Sequence, residues 1–479
     1  EFHDVTSSPV AMAGSRSVIA YGQLDGNDSE LADVVAAYIQ AKYTGTATFL
    51  KFSRKFWPAS WAGMRRPVVM MKRALYGHPE SGRVWEQFFE SVVTKFGWKQ
   101  CDMWPGVFTK GVGANRITMA VYVDDIIVSG PRRLLKGVWS ELQSVLKIED
   151  GKPLSRYLGC TYKKCEAGLE FDMEDLLRDT VKRYLECVSD IGDSKHARRM
   201  KTLRKVDTPF LSDKKDETLP STTEEYVDFE EEEKHEGILG HAALSVLMKA
   251  LYSARVARID LQFAICRVAR RVHKWNRLDD LRLLRVVEYI QSTLKWRLVG
   301  RMPTCKSEIK LAMYVDSDFG ADPDTARSTS GYLVGVEHAD GFFPLAWASK
   351  RQSSVAHSTP EAEVVALDAG LRGDLLPLKA LWSTWLEREV DSSIHEDNSA
   401  AVIVAQKGYS ASLRYICRTQ RVSLAWVSEV LKREQIPVLK VESLRQKADG
   451  LTKAFDAGTW IHACKLLGIV NFGTVPTTS

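Results

Sequence analysis

The sequence predicts a mixed α/β (α+β) fold of several domains, and three observations support this. Short apolar, β-branched runs that end in aspartate recur along the chain and predict strands. Apolar residues recur at helical spacing between them, most clearly from Ser81 to Gly97. An acidic run at 212–237 interrupts both patterns and predicts a linker, because such a segment cannot bury a core. At 479 residues the chain is long enough for several cores.

Two adjacent carboxylates, Asp124 and Asp125, stand between predicted strands at Ile117 to Val123 and Ile126 to Val128. These flanks predict a hairpin with the two aspartates at its turn. Aspartate is common in turns, but this turn has no glycine and is flanked on both sides by apolar residues. Burying two neighbouring carboxylates is costly without a compensating cation, and a divalent metal is the natural candidate.

Asp33 is a third candidate ligand, and it precedes an apolar stretch that contains Tyr38. Taken alone, an aspartate in this place is more often a helix cap. Its position upstream of the Asp124-Asp125 hairpin is what raises it as a third oxygen ligand for a divalent metal.

The segment after Leu75-Tyr76-Gly77 predicts an amphipathic helix that packs on a sheet. Ser81 is its expected N-cap, and Gly97 is its expected stop. Core packing alone accounts for the apolar residues of this helix.

The C-terminal third carries carboxylates in the order strand end, helix, strand end, helix. An alternating strand at 309–315 leads into the first, and further strands are predicted at 331–336 and 342–348. Ser358 opens the helix, with Glu361 as its capping-box partner. The candidate ligands are Asp316, Glu363, Asp397 and Asp449. Each alone is more often a cap or a turn residue, but four in this order make chance less plausible.

Composition narrows the class of protein without selecting one. The net charge is +5 and the pI is about 8.6, so a polyanion-binding surface requires local clustering, as at 195–205. Eight cysteines without a Cys-x-x-Cys pair argue against structural zinc and favour reduced thiols. No apolar run of about eighteen residues and no signal peptide is found, so neither a membrane nor secretion is indicated.

Tyr122-Val123-Asp124-Asp125 between strands resembles the active-site hairpin of reverse transcriptases. The Leu75-Tyr76-Gly77 entry to the predicted helix resembles the same segment of copia-type retrotransposon polymerases. The resemblance implies catalytic metal ligation by Asp33, Asp124 and Asp125, and a nucleotide site at Tyr38, Tyr122 and Glu80. Tyr38 would lie under the incoming sugar and exclude a 2′-hydroxyl. Glu80 stands where the family has glutamine, and its charge would repel a triphosphate.

The C-terminal motifs resemble copia-type ribonuclease H, in segments at 314–322, 358–367, 395–400 and 446–453. The resemblance implies that Asp316, Glu363, Asp397 and Asp449 hold two divalent ions, Mg²⁺ or Mn²⁺. These ions would activate water against the RNA strand of a hybrid. One departure is Arg418-Thr419-Gln420-Arg421, where the family has Arg-Thr-Lys-His.

The resemblance runs from Ser8-Pro9-Val10 to about Phe455 and implies four domains. These are a reverse transcriptase domain with palm and truncated fingers at 1–211, an acidic linker at 212–237, a helical thumb or connection at 238–305, and a ribonuclease H-like mixed-sheet domain at 306–479. Family fingers strands precede the Ser-Pro-Val pattern, so we expect this chain to be a fragment of a longer polyprotein.

The implied function is RNA-directed DNA polymerisation with ribonuclease H activity, using two divalent ions per active site. The implied partners are an RNA template, a DNA primer, an RNA/DNA hybrid and deoxynucleoside triphosphates, with no membrane. The implied location is intracellular, in cytoplasmic virus-like particles and the nucleus. Two alternatives stay open: a degenerate or repurposed copy that binds hybrids without polymerising, and a metal-dependent nuclease in which only the C-terminal domain works.

Overall fold

The computed structural model describes residues 10–211 and 227–474. The chain divides into two compact units, Glu1–Tyr157 with Ser383–Arg388 and Leu158–Trp382 with Glu389–Ser479. Both contain helices and sheets, which confirms the mixed fold class. The four-domain assignment stays a prediction. Ser8-Pro9 and residues 212–226 of the predicted linker lie outside the described residues.

The first unit has nine strands and four α-helices among its described residues. The strands are β1 (Asn27–Asp33), β2 (Phe49–Leu50), β3 (Val69–Met70), β4 (Lys99–Gln100), β5 (Val107–Lys110), β6 (Ile117–Tyr122), β7 (Asp125–Pro131), β8 (Lys152–Pro153) and β9 (Arg156–Tyr157). The helices are α1 (Met12–Tyr21), α2 (Ala37–Gln40), α3 (Ser81–Val93) and α4 (Arg132–Gln143).

The main sheet of the first unit is antiparallel and has the strand order β4-β5-β6-β7-β1-β8. Helices α3 and α4 pack on it through one apolar cluster that includes Trp85, Phe89 and Trp139. Strands β6 and β7 are central, so they are buried among neighbours on both sides. The predicted Asp-Asp hairpin therefore lies at one end of the best-packed part of this sheet.

Helix α3 confirms the predicted amphipathic helix with one correction. Its N-cap is Glu80, because Ser81 is already the first helical residue. The Ser81 hydroxyl instead accepts a hydrogen bond from the Leu75 N–H at 2.8 Å. The predicted stop at Gly97 is confirmed: a 3₁₀ turn follows the helix, and Gly97 adopts φ 83°, a left-handed conformation that glycine tolerates without strain.

The second unit contains the remaining elements. The strands are β10 (Cys160–Cys165), β11 (Gly168–Asp172), β12 (Trp296–Gly300), β13 (Lys310–Ser317), β14 (Thr329–His338), β15 (Gly341–Arg351), β16 (Ser392–Glu396), β17 (Val438–Lys440) and β18 (Ile469–Asn471). The helices that begin in it are α5 (Glu174–Val188), α6 (Lys195–Met200), α7 (Phe229–Glu233), α8 (Gly240–Val256), α9 (Gln262–Ala269), α10 (Arg277–Ser292), α11 (Thr359–Gly370), α12 (Leu376–Leu386), α13 (Ser399–Lys407), α14 (Ile416–Thr419), α15 (Leu424–Arg433) and α16 (Ala457–Leu466).

A mixed five-stranded sheet in the order β15-β14-β13-β16-β17 organises the C-terminal part of this unit. Strands β13, β14 and β15 are antiparallel, whereas β16 runs parallel to β13, and β17 runs parallel to β16. All three predicted strands are confirmed here. Because β13 and β16 are parallel neighbours, their carboxyl ends meet at the same edge of the sheet. The residues that follow these two strands are therefore brought together.

Apolar residues at helical spacing predict helix over His241 to Arg270, and a buried polar network interrupts this pattern. Helix α8 ends at Val256, and the side chains of Arg258 and Asp260 that follow are fully buried. Arg258 donates two hydrogen bonds to the Asp260 carboxylate, at 2.9 and 2.7 Å, and two to Thr293, at 3.2 and 2.8 Å. Tyr289 donates a further bond to Asp260 at 3.0 Å. The network joins the start of α9 to the end of α10.

We expect Asp260→Asn to lower the free energy of unfolding of this unit by about 3–5 kcal/mol, because it leaves the Arg258 charge buried without a counter-charge. Urea unfolding followed by circular dichroism would measure the loss. The matched control is Glu186→Gln, which breaks a pair with Arg183 whose side chains are 41% and 51% exposed. The control should cost less than about 1 kcal/mol. Equal costs for the two variants would contradict the prediction.

Candidate metal centres

In the first unit, the fold places the three predicted carboxylates at one end of the sheet. Strands β6 and β7 form the expected hairpin, but its turn is Val123-Asp124 rather than the two aspartates, because Tyr122 pairs with Asp125, the first residue of β7. Asp33 is the last residue of β1 and pairs with Asp125, the first residue of the neighbouring strand β7. The Asp124 carbonyl accepts a hydrogen bond from the Val34 N–H at 2.8 Å.

The turn itself is strained. Val123 has φ 57°, a left-handed conformation that a β-branched residue rarely adopts. The Trp85 indole N–H donates to the Val123 carbonyl at 2.8 Å, so helix α3 holds this turn in place. Such strain persists only where the surroundings enforce it, and it is concentrated at functional sites.

The electrostatics of this end of the sheet favour a bound cation. Burial, followed by a hydrogen bond to Asp33 and repulsion by Asp33 and Asp124, raises the pKa of Asp125 to about 6. A hydrogen bond between two carboxyl groups needs a proton on one of them. A divalent cation would replace that proton and suit the same oxygen donors.

Two of the three predicted nucleotide-site residues lie beside these carboxylates. Tyr38 is on α2, and its ring centroid is 4.5 Å from that of Tyr76. The pKa of Tyr38 is raised by burial and then by the negative charges around it, Asp124 among them. Tyr122 is half-buried at the end of β6, next to the turn.

The carboxylate of Glu80, the third predicted nucleotide-site residue, is already hydrogen-bonded within the protein. Its buried carboxylate accepts hydrogen bonds from the Tyr43 hydroxyl at 2.5 Å, the Thr46 N–H at 3.0 Å and Arg83 at 3.4 Å. The Tyr43 hydrogen bond is the main cause of a lowered pKa for Glu80. The carboxylate therefore stays charged and fastens the 43–46 segment to the start of α3.

In the second unit, three predicted ligands converge. Asp316 lies at the end of β13, Asp397 follows β16, and Glu363 is on α11. Each offers one carboxylate oxygen, and these oxygens all lie within 4.8 Å of one another. Among the described residues this is the sole group of three carboxylate, histidine or cysteine ligands that is so close. The Asp33 group does not reach this spacing.

Asp449, the fourth predicted ligand, reaches the group through a lysine. It begins a short 3₁₀ turn, and its Oδ1 accepts from the Lys453 Nζ at 2.7 Å. The same Nζ donates to the Asp316 Oδ1 at 2.9 Å, and the Thr452 hydroxyl donates to the Asp316 Oδ2. The ammonium group thus lies between two of the four predicted carboxylates and neutralises part of their charge.

The cluster holds more negative charge than its protein partners balance. Burial, followed by repulsion from neighbouring carboxylates, raises the pKa of Glu363 to about 11. The pKa of Glu396 rises to about 8 and that of Asp449 to about 7, again chiefly through burial. In the described part of the chain, Glu363 Oε2 and Glu396 Oε2 are buried without a hydrogen-bond partner. Buried, unpaired carboxylate oxygens are the donor set that Mg²⁺ or Mn²⁺ prefers.

Sequence reasoning missed two members of this cluster. Lys453 is four residues after Asp449, a spacing that places two side chains on one face of a helical turn and could have identified the pair. Glu396 directly precedes Asp397. Only the structure identifies it as a member of the cluster, because its side chain is completely buried at the end of β16.

The start of α11 also differs in detail from the prediction. Ser358 is the N-cap, and its hydroxyl accepts from the Glu361 N–H at 3.4 Å, as expected. The Glu361 carboxylate, however, accepts from the His357 N–H at 3.0 Å and from the Gln420 side chain at 3.4 Å. The capping box is thus only half formed, because Glu361 ties this helix to the segment before α15.

In the presence of EDTA, we expect the melting temperature of the protein to fall as the pH rises from 6 to 8. The folded-state pKa values of Asp449 (about 7) and Glu396 (about 8) exceed the usual 3.8 and 4.5. The folded state therefore retains protons that the unfolded state has released, so the free energy of unfolding decreases with pH up to about pH 8.

Mg²⁺ should raise the melting temperature more at pH 8 than at pH 6, because it competes with protons for these carboxylates. Differential scanning fluorimetry at both pH values would measure this, and Glu396→Gln should flatten the pH dependence. An equal effect of Mg²⁺ at both pH values would contradict the prediction.

The family described as reverse transcriptase (RNA-dependent DNA polymerase) matches residues 1–187. The Retrovirus-related Pol polyprotein from transposon RE2 of Arabidopsis thaliana is 24% identical over 476 residues, which cover 97% of this chain and 29% of that protein. The corresponding polyprotein from transposon TNT 1-94 of Nicotiana tabacum is 22% identical over 480 residues, which cover 98% of this chain and 33% of that protein.

A solved structure, the N-terminal RNase H domain of a Mycobacterium tuberculosis protein fused to maltose-binding protein, matches at 17% identity with a TM-score of 0.22. This match covers 33% of the chain and 97% of that structure.

No described helix is long and apolar enough to cross a membrane. The chain spans about a third or less of the length of the two transposon relatives. Residues 1–187 match the reverse transcriptase family, and over nearly its whole length the chain is homologous to Pol polyproteins of copia-type retrotransposons.

Proposed function

We propose that this chain is the reverse transcriptase and ribonuclease H part of a retrotransposon polyprotein, which copies RNA into DNA and degrades the RNA of the resulting hybrid. The observation that carries the proposal is the pair of carboxylate clusters, one at a strand end in each unit. When bound, the two divalent ions of each site, Mg²⁺ or Mn²⁺, activate the attacking oxygen and stabilise the leaving oxygen of phosphoryl transfer.

In the polymerase site, Asp33, Asp124 and Asp125 are the proposed metal ligands. The strained turn at Val123 fixes the direction of the aspartates that follow it. Tyr38, supported by Tyr76, is the proposed platform for the incoming sugar and excludes ribonucleotides by its bulk. We assign Glu80 a structural role rather than a nucleotide contact, because its carboxylate already has three partners within the protein.

In the nuclease site, Asp316, Glu363 and Asp397 are the proposed inner ligands, and Asp449 completes the set. Lys453 holds Asp316 and Asp449 at a constant separation through its two short hydrogen bonds. The raised pKa of Glu363 reflects the crowding of carboxylates around it, which a divalent ion offsets.

The proposed partners follow from these reactions. They are an RNA template, a DNA primer, deoxynucleoside triphosphates and an RNA/DNA hybrid. The proposed location is intracellular, in cytoplasmic virus-like particles with access to the nucleus. The domain division proposed above, with its boundaries near 211, 237 and 305, belongs to the same proposal.

A second candidate is a metal-dependent nuclease whose polymerase domain is silent. One observation favours it: in the described residues only the Asp316 cluster brings three ligand oxygens within 4.8 Å. The Asp33 group would then be a remnant that keeps the fold of the hairpin without catalysis.

Two parallel assays on the whole chain distinguish these candidates. The first measures extension of a DNA primer on an RNA template with Mg²⁺ or Mn²⁺, and the second measures cleavage of RNA in a hybrid. Both activities together support the proposal. Cleavage without extension supports the nuclease, and neither activity with intact hybrid binding supports a degenerate copy.

A further inference from the structure

The second unit contains an arginine-rich cavity beside the Asp316 cluster. Its volume is about 320 Å³, and it is bounded by helix α9, the loop between β13 and β14, and the Thr452-Lys453 turn. The cationic residues that line it are Arg267, Arg270, Arg271, Arg282, Arg351 and Lys453. Three carboxylates, at Asp318, Asp322 and Asp324, line the same cavity. Its wall therefore carries more positive than negative side chains.

Three of these arginines are held in place by carboxylates. Arg271 donates to Asp279 at 2.8 Å and to Asp324 at 2.5 Å. Arg282 also donates to Asp279, at 3.0 Å, and Arg351 donates to Asp322 at 3.1 Å. These contacts fix the rim of the cavity before any ligand enters.

Arg267 and Arg270 lack comparable partners within the described ranges. The Arg267 guanidinium makes no hydrogen bond or ion pair there, although burial and the charges of Arg282 and Arg270 lower its pKa. Arg270 reaches only Thr329 at 3.3 Å and Asp322 at 4.0 Å, and its Nη2 is buried without a hydrogen-bond partner. A ligand with acceptor oxygens in this cavity would satisfy the buried Arg270 Nη2, and the Arg267 guanidinium lines the same cavity.

We propose that this cavity binds a phosphate group of the nucleic-acid backbone, through Arg267 and Arg270, next to the strand that the Asp316 cluster cuts. The inference rests on the proposed nuclease function and adds a backbone contact to it. Guanidinium groups match phosphate oxygens in a two-pronged geometry. Lys453 lines the cavity and also donates to Asp316, so a phosphate in the cavity would lie beside the Asp316 cluster.

A phosphate contact in this cavity would also position the nucleic acid relative to Asp316. Helix α9 and the loop between β13 and β14 belong to one compact unit, so the distance from the cavity to Asp316 is set by the fold. A backbone phosphate held there would fix which linkage reaches the carboxylates. The cavity would thus determine the register of cleavage and not only the affinity for the hybrid.

The test uses the full chain, in EDTA to prevent cleavage, with RNA/DNA hybrids that carry one neutral methylphosphonate linkage moved along either strand. One position, or two neighbouring positions, should weaken binding by the parent protein about tenfold. That loss should vanish in Arg267→Met and in Arg270→Met, because the partner of the phosphate is already gone. Both variants should also lower the slope of log affinity against log salt by about one.

Arg433→Met is the matched control, because Arg433 is exposed on α15 and lies outside the cavity. It should preserve the position-specific loss. Melting temperatures of all variants would identify any that fail to fold, and Arg267→Lys, which retains the charge, provides a second substitution. If no linkage shows an effect that depends on Arg267 or Arg270, the proposal is wrong.

A small free anion is the other source of the same chemistry. Inorganic phosphate and pyrophosphate, compared with chloride at equal ionic strength, would raise the melting temperature of the parent if they bind this cavity. Such an increase without any position-specific loss on hybrids would overturn the backbone assignment. Cleavage by the parent, measured separately with Mg²⁺, tells whether the nuclease proposal itself has failed.

Discussion

Asp316→Asn should abolish cleavage of the RNA strand while leaving hybrid binding largely intact. Asp316 belongs to the group of three carboxylates within 4.8 Å, and its two oxygens also accept from Lys453 and Thr452. An amide keeps the shape of the side chain but removes its charge and one acceptor. Loss of a direct metal ligand should lower the rate by more than about a hundredfold, the upper range for residues that only support a ligand.

The experiment compares single-turnover cleavage of a labelled hybrid with its equilibrium affinity. Asp193→Asn is the control, because the Asp193 side chain is 86% exposed in the same unit. The control should keep the parental rate. Parental cleavage by Asp316→Asn would remove Asp316 from the site, and a large loss of hybrid affinity would make its role structural.

Sequence reasoning predicted the strands well because their signal is local. Alternating apolar residues that end at Asp316, and apolar runs around Asp124 and Asp125, describe buried strands whatever the rest of the chain does. The convergence of Asp316 with Asp397 also follows, since both end parallel neighbouring strands. The order of the elements made chance less plausible, and the resemblance to copia-type ribonuclease H implied that these residues share one site.

The role of Glu80 could not be predicted, because its partners are distant in sequence. Tyr43 and Thr46 lie more than thirty positions earlier and reach Glu80 only after α3 has packed on the sheet. The sequence shows a charge where the related family has an amide, which predicts repulsion of a triphosphate. The fold instead turns that charge inward to hold a loop.

The break between α8 and α9 escaped prediction for a similar reason. Apolar spacing continues past Val256 as if one helix ran on, but Arg258 and Asp260 are buried as a pair that only Thr293 and Tyr289 complete. Long-range polar networks of this kind override local helical preference. The unsatisfied Nη2 donor of Arg270 is equally invisible in the sequence, where basic residues on a helix suggest a solvated face.

Asp125→Asn should abolish extension of a DNA primer on an RNA template, again by more than about a hundredfold. The Asp125 carboxyl is hydrogen-bonded to Asp33, and burial, followed by this hydrogen bond and repulsion within the group, raises its pKa to about 6. Asparagine can supply the same hydrogen bond without a charge, so the hairpin should keep its structure. What it removes is the negative charge that a bound cation needs.

The measurement is single-nucleotide extension with Mg²⁺, and then with Mn²⁺, alongside hybrid cleavage by the same protein. Asp25→Asn, at an exposed position of the first unit, is the control and should extend as the parent does. Because Asp125 lies in the first unit and the Asp316 cluster in the second, cleavage by Asp125→Asn should be unchanged. Loss of both activities would indicate unfolding, whereas unchanged extension would place the polymerase chemistry elsewhere. If the parent cuts hybrids but never extends a primer, the strained Val123 turn and its aspartates persist without catalysis, and the nuclease alone explains the chain.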